Sequence, residues 1–210
     1  LVPAVGFYEP PAGLVEKDVE KGLALLVEAG YPKGKGLPEI SIVVTPGSVA
    51  ESVATEAADI WKNLLDVSVE IVQVSFNQYT NVIRQGGYTM GSSTWIGDFA
   101  DPLSFLQMWI TGTKLNDARY SSSRYDDLIE DALSRNDESR FEILGQAEEI
   151  LLSGDVVVLP LANPPSFNLV DLERVQGWYS NALDIHPFKF IAFRKPNVPD
   201  GYVMVTDQLK

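Results

Sequence analysis

Glu39-Ile40-Ser41-Ile42-Val43-Val44-Thr45-Pro46-Gly47-Ser48 is the stretch on which the fold turns. Residues 39–45 are short, apolar and rich in β-branched side chains, which predicts a buried strand. Pro46-Gly47-Ser48 breaks that strand and opens a helix, in which Val49, Val53, Ala57, Ile60 and Leu64 recur at helical spacing. Trp61 follows on the same helix and reads as packing. From Val67 to Val74, Val67, Val69 and Ile71 alternate with polar residues before the run turns more apolar, as a second strand would. Strand, helix and strand in that order form a βαβ unit, whose parallel strands are joined by a right-handed crossover.

On the amino side, Asp18 can cap a helix with Val19, Leu23, Leu26 and Val27 on one face, ended by Gly30 and Pro32. Ahead of it Phe7-Tyr8-Glu9-Pro10-Pro11-Ala12-Gly13 reads as linker, and Leu1-Val2-Pro3-Ala4-Val5 is neither a Met start nor a signal peptide. The expectation is a piece of a longer protein, with residues 1–14 as its connecting segment.

On the carboxyl side, Asn77 to Gln85 reads as a short helix stopped by Gly86-Gly87, and Tyr88 to Trp95 as a third strand of small and polar residues. That strand delivers Thr94-Trp95-Ile96-Gly97-Asp98-Phe99-Ala100-Asp101-Pro102-Leu103-Ser104-Phe105-Leu106. Asp101 is placed as an N-cap with Pro102 at the first helical position, ahead of an apolar helix reaching about Ile110, with Trp109 in the core. A polar loop through Gly112 and Asn116 to Ser122 follows. Two amphipathic helices come next, near Tyr125 to Leu133 and Asp137 to Leu152, the second burying Phe141, Leu144, Ala147, Ile150 and Leu151. Val156 to Leu161, Phe167 to Val170 and Phe188 to Phe193 read as late strands. The fold class is α/β, a mixed central sheet flanked by helices.

Composition narrows the function. Of the 210 residues, 45% are hydrophobic and 21% charged, enough to bury a core. The formal charge of -13 repels phosphate backbones, so nucleic acid is no partner. With no cysteine there is neither a disulfide framework nor a thiolate metal site. No apolar run approaches the roughly 20 residues of a transmembrane helix. Lys33-Gly34-Lys35-Gly36 lacks the spacing and the Lys-Ser/Thr end of a phosphate-binding loop. The single histidine, His186, reads as structural, and no Gly-x-Ser-x-Gly elbow occurs. No cofactor is expected.

Asp98 and Asp101 beside Trp95 and Phe99 invite comparison with a glycosidase pair, but such carboxyls face each other across a sugar, whereas Asp101 is occupied in capping. The chain reads as a non-enzyme. Asp98 has no structural duty of that kind. It lies where a strand hands over to a helix, the usual place of the ligand crevice in open α/β sheets. The aromatic wall of Trp95 would strengthen its attraction to a cationic ligand, against the simpler reading of Trp95 as a half-buried strand residue. A sugar held by stacking on Trp95, Phe99 and Tyr120 is the alternative ligand.

These residues carry a resemblance. Ala24-Leu25-Leu26-Val27-Glu28-Ala29-Gly30-Tyr31-Pro32 with Gly34-Lys35-Gly36 is similar to the lobe-opening motif of the oligopeptide-binding proteins of ABC transporters, the family 5 extracellular solute-binding proteins. Trp95-x-x-Asp98-x-x-Asp101-Pro102-x-x-Phe105-Leu106 resembles that family's ligand-site motif. Asn116-x-Ala118-Arg119-Tyr120, Tyr125-Asp126-x-Leu128-Ile129, the region from Val158-Leu159-Pro160-Leu161 to Gly177-Trp178, and Ile185-His186-Pro187-Phe188-Lys189 follow in the family's order.

The resemblance implies a C-terminal lobe over residues 15–177, with residues 178–210 returning toward a missing N-terminal lobe. It implies a type II periplasmic-binding-protein fold and capture of a peptide or other small solute outside the cytoplasm, in the periplasm or lipid-anchored at the cell surface, for delivery to an ABC permease. Asp98 matches the carboxylate that holds the peptide's α-ammonium group, and Trp95 the neighbouring aromatic. Gly97, Phe99, Ser93 and Arg119 complete the candidate site. Met90, Gly91, Ser92 and Ser93 stand where some members carry a basic residue for the peptide's carboxylate, leaving Arg84 and Arg119 as the nearest cationic substitutes.

Overall fold

A computed structural model of the chain describes residues 1–12, 17–161, 167–181 and 184–194. Residues 195–210 of the expected closing segment lie outside the described residues. The chain divides into two compact units, Leu1–Asn163 and Pro164–Lys210.

The first unit carries the βαβ arrangement. Helix α1 (Val19–Glu28) starts at Asp18, whose carboxylate accepts the Lys21 N–H at 2.9 Å. It leads to β1 (Ile40–Val44), α2 (Val49–Leu65), β2 (Val69–Gln73), α3 (Phe76–Gln85) and β3 (Met90–Gly91). The three strands are parallel in the order β2-β1-β3, with Ile40 opposite Val69 and Ile42 opposite both Ile71 and Met90. Central β1 is the most buried of them, which is why it reads as a short continuous apolar run. Ser48 starts α2 by accepting the Glu51 N–H at 3.1 Å, while the Glu51 carboxylate accepts the Gly47 N–H at 2.6 Å.

Three expectations for this region are corrected. The buried face of α2 runs through Ala54, with Trp61 packed on Ile42 and Val44, while Val49 is 80% exposed and Ile60 and Leu64 also face solvent. The helix is rotated from the expected stripe because Trp61 has the largest apolar surface to cover and Ala54 allows close approach to the sheet. The third strand, expected to reach Trp95, ends at Gly91 opposite Val43, and only the Ser92 N–H, bonded to the Val43 carbonyl, continues the pairing before the chain leaves β1. In α1, Val27 lies on the exposed side.

The remainder of this unit is helical: α4 (Leu103–Leu106), a 3-10 turn at Gln107–Trp109, α5 (Ser123–Ser134), α6 (Ser139–Glu149) and a π turn at Ile150–Gly154. Leu103, Leu106, Tyr125, Ile129, Leu144 and Leu151 centre its core. Val2, Val5 and Tyr8, from the segment read as linker, are buried in the same cluster. The Glu148 carboxylate, 1% exposed, accepts the Val2 N–H at 2.7 Å and the Tyr8 hydroxyl. The Pro and Gly content that suggested a linker hides an apolar spacing that matches this core.

The late strands are also corrected. Residues 156–161 and 167–170 form no strand. Val156 instead takes a left-handed conformation at φ 50°. In the second unit, β4 (Val175–Gln176) pairs antiparallel with β5 (Ala192–Phe193), the latter preceded by a 3-10 turn at Phe188–Phe190. β-branched and aromatic composition favours a strand only where a neighbour supplies the ladder. His186 is held locally, stacked on Trp178 at 4.9 Å between ring centres and bonded to Asp184 at 2.7 Å.

Candidate ligand-binding site

The site region starts where β3 leaves the sheet. The Ser92 N–H donates to the Val43 carbonyl at 3.2 Å, a last bond beyond the ladder. The Tyr79 hydroxyl, from α3, bonds to the Ser92 carbonyl, lies 2.9 Å from the Ser92 Oγ and reaches the Val43 carbonyl at 3.3 Å. This phenol finishes the sheet edge, and the chain departs through Ser93, which is exposed.

Residues 95–104 then close on themselves. The Trp95 indole, half-buried against the helical core, donates its Nε1–H to the Ser104 carbonyl at 2.8 Å. The Asp98 N–H donates to the Ser104 Oγ at 2.7 Å. Gly97 is buried between these anchors, whereas Ile96 is 74% and Phe99 41% exposed. The Asp98 carboxylate is exposed and makes no hydrogen bond or ion pair among the described residues. A charge on a loop whose backbone is tied down is available to a ligand.

Asp101 bonds the start of the helix, although Pro102 and not Asp101 takes the N-cap position, and it does more. Its Oδ1 accepts the Leu103 N–H at 2.9 Å, and both its oxygens are held by the Arg140 guanidinium of α6 at 2.8 Å. Partial burial works against ionisation, but the Arg140 fork and the Leu103 N–H outweigh it and hold the carboxyl below its usual range. The helix itself begins at Leu103, one residue later than Pro102 at the first position would give.

Arg119 stands apart from this group. Its guanidinium donates to the Arg84 carbonyl at the end of α3 at 2.7 Å and covers Gly86, where a Cβ would collide with it. Arg84 in turn lies 3.8 Å from Asp117. Asn116 organises this loop, accepting the Tyr120 N–H at 3.0 Å and donating to the Tyr120 carbonyl at 2.8 Å. No hydrogen bond or ion pair among the described residues joins Arg119 to Asp98. Trp95, Gly97 and Asp98 are thus brought together, with Ser93 and Phe99 on the same exposed loop, while Arg119 supports the end of α3.

Sequence reasoning missed Ser104, Arg140 and Tyr79. Ser104 alone left a signal, as the polar residue inside Leu103-Ser104-Phe105-Leu106. Among the described residues no group of acidic and histidine side chains could hold a metal ion, and no helix is long and apolar enough to cross a membrane.

Comparison with known proteins bears on this geometry. The family model described as bacterial extracellular solute-binding proteins, family 5 Middle, matches residues 2–117. The periplasmic oligopeptide-binding protein OppA of Escherichia coli strain K12 is 27% identical over 163 residues, covering 78% of this chain and 29% of that protein. The chain therefore spans about a third or less of the length of this relative. A crystal structure of the periplasmic oligopeptide-binding protein OppAIV of Borrelia burgdorferi superposes with a TM-score of 0.76 at 28% identity, covering 91% of this chain and 39% of that one. Haemophilus influenzae OppA, solved in complex with the peptide RPPGFSPFR, gives a TM-score of 0.62 at 27% identity over 70% of this chain and 30% of that one.

Proposed function

The chain belongs to the bacterial extracellular solute-binding proteins of family 5, and from that membership we propose that it is a peptide-binding lobe whose Asp98 carboxylate holds the ligand's α-ammonium group. The observation that carries this reading is the exposed Asp98 carboxylate, without a partner among the described residues, on a loop fixed at Ser104. A charge-assisted bond from an ammonium to such a carboxylate is worth about 1.5–3 kcal/mol. Trp95 supplies the adjoining apolar wall, and Gly97, Ser93 and Phe99 line the same loop.

The peptide-binding relatives support the ligand class. In this reading the rest of a longer protein supplies the facing lobe, the two close on a peptide outside the cytoplasm, and the complex delivers it to an ABC permease. Nothing in the ligand is made or broken, so the lobe acts as a binding protein and not as an enzyme. Arg119 enters as support for the α3 end, which leaves the peptide's carboxylate without a dedicated cation on this loop.

The test is a nitrogen-proton NMR titration of the chain with a tripeptide pool and with its N-acetylated counterpart. The Trp95 indole and the amides from Ile96 to Leu103 should shift with free-amine peptides, and not with acetylated ones. The Asp98→Asn chain should lose that preference. Equal responses to both pools, or an unchanged preference in Asp98→Asn, would overturn the assignment.

A further inference from the structure

Asp98 and Trp95 meet at one residue that faces neither solvent nor ligand. Ser104 is 0% exposed, packed between Leu103 and Phe105 in the helical core. Polar groups buried this deeply must be satisfied. Here the hydroxyl oxygen accepts the Asp98 N–H and the carbonyl accepts the Trp95 Nε1–H. The first bond fixes the peptide unit from which the Asp98 carboxylate projects. The second fixes the plane of the indole. Both are referred to α4, whose start is in turn fixed by Asp101 bonding to Leu103 and to Arg140 of α6.

We propose that Ser104 is a positioning residue that holds the Asp98 carboxylate and the Trp95 ring as one preorganised unit, so that an ammonium group meets both at a spacing set before it arrives. This rests on the peptide reading of Asp98. A ligand that does not have to order the loop keeps more of its contact energy as affinity. The hydroxyl acts on the ligand only through the Asp98 backbone, which distinguishes it from a contact residue.

The experiment compares the unaltered chain with Ser104→Ala by amide hydrogen exchange and by titration with free-amine and N-acetylated tripeptides, at temperatures where both chains are folded. In the unaltered chain the Asp98 amide should exchange slowly although the residue is exposed. In Ser104→Ala it should exchange at least about tenfold faster, because its acceptor is gone. The Trp95 indole N–H should stay protected, because the carbonyl that binds it remains. Affinity for the free-amine pool should fall about tenfold, and the preference over acetylated peptides should shrink.

A fast Asp98 amide in the unaltered chain overturns the inference without any variant. So does an unchanged exchange rate in Ser104→Ala, or a released amide with unchanged peptide preference. The reading of Asp98 itself fails by a different sign: Asp98→Asn would keep the free-amine preference while the exchange results stand.

Discussion

Asp101 and Arg140 face each other fork to fork, each carboxylate oxygen 2.8 Å from a guanidinium nitrogen, and so tie the start of α4 to α6. The pair is largely shielded, with side-chain exposures of 26% and 16%, which raises the cost of leaving either charge alone. It also fixes the far end of the loop that carries Asp98.

Arg140→Ala should destabilise the chain by about 1.5–3 kcal/mol at neutral pH, read by urea unfolding. The effect has a definite pH dependence. The native pKa of Asp101 lies below its unfolded value of 3.8. The stabilisation is therefore complete well above pH 3.8 and is lost as the pH falls through the lower native pKa. The gap between Arg140→Ala and the unaltered chain should narrow in that acid range. A gap that widened on acidification would contradict the ion pair.

Arg119→Ala should separate support from recognition. The guanidinium holds the Arg84 carbonyl at the close of α3, so its loss should lower stability by about 1 kcal/mol. Affinity for a free-amine tripeptide should be little changed. If stability were unaffected and affinity fell instead, Arg119 would be a ligand contact after all.

Val156 offers the opposite sign. A β-branched residue at φ 50° is strained, and this one is 64% exposed, so it gains little from packing. Val156→Asn, which tolerates the left-handed region, should raise stability by about 1 kcal/mol, visible as a higher unfolding midpoint. An unchanged or lower midpoint would mean that the side chain carries more packing than its exposure indicates.

What the sequence discloses follows the range of the interactions involved. The βαβ order, the Asp18 and Ser48 caps and the buried face of α6 depend on neighbours a few residues apart, and each is legible. Asp98 stands out as a site candidate because its neighbour Asp101 has a local capping bond and it does not. The Asp101–Arg140 pair, by contrast, spans 39 residues and leaves no periodic trace. The rotation of α2 is settled by which side chain meets the sheet, and two stripes of similar spacing compete for that role. The segments 156–161 and 167–170 have strand composition but no pairing edge, and composition cannot report a missing neighbour.

The opening segment gives the sharpest contrast between composition and packing. A linker can be removed without consequence, so the linker reading expects a chain lacking residues 1–8 to melt like the unaltered one. The structure expects otherwise. Val2, Val5 and Tyr8 are each at most 2% exposed, and burying side chains of this kind is worth about 1.5–3 kcal/mol apiece. Their removal would also strip Glu148 of the Val2 N–H and Tyr8 hydroxyl and leave a carboxylate in an apolar core. The combined loss is comparable to the whole stability of an ordinary domain, about 5–15 kcal/mol. Deletion of residues 1–8 should abolish cooperative thermal unfolding followed by circular dichroism. Glu148→Gln in the complete chain, which removes the negative charge that strengthens the bonds from the Val2 N–H and the Tyr8 hydroxyl, should lower the midpoint without abolishing the transition. A deletion variant that unfolds cooperatively at the original midpoint would show that the segment is a linker that merely rests on the core.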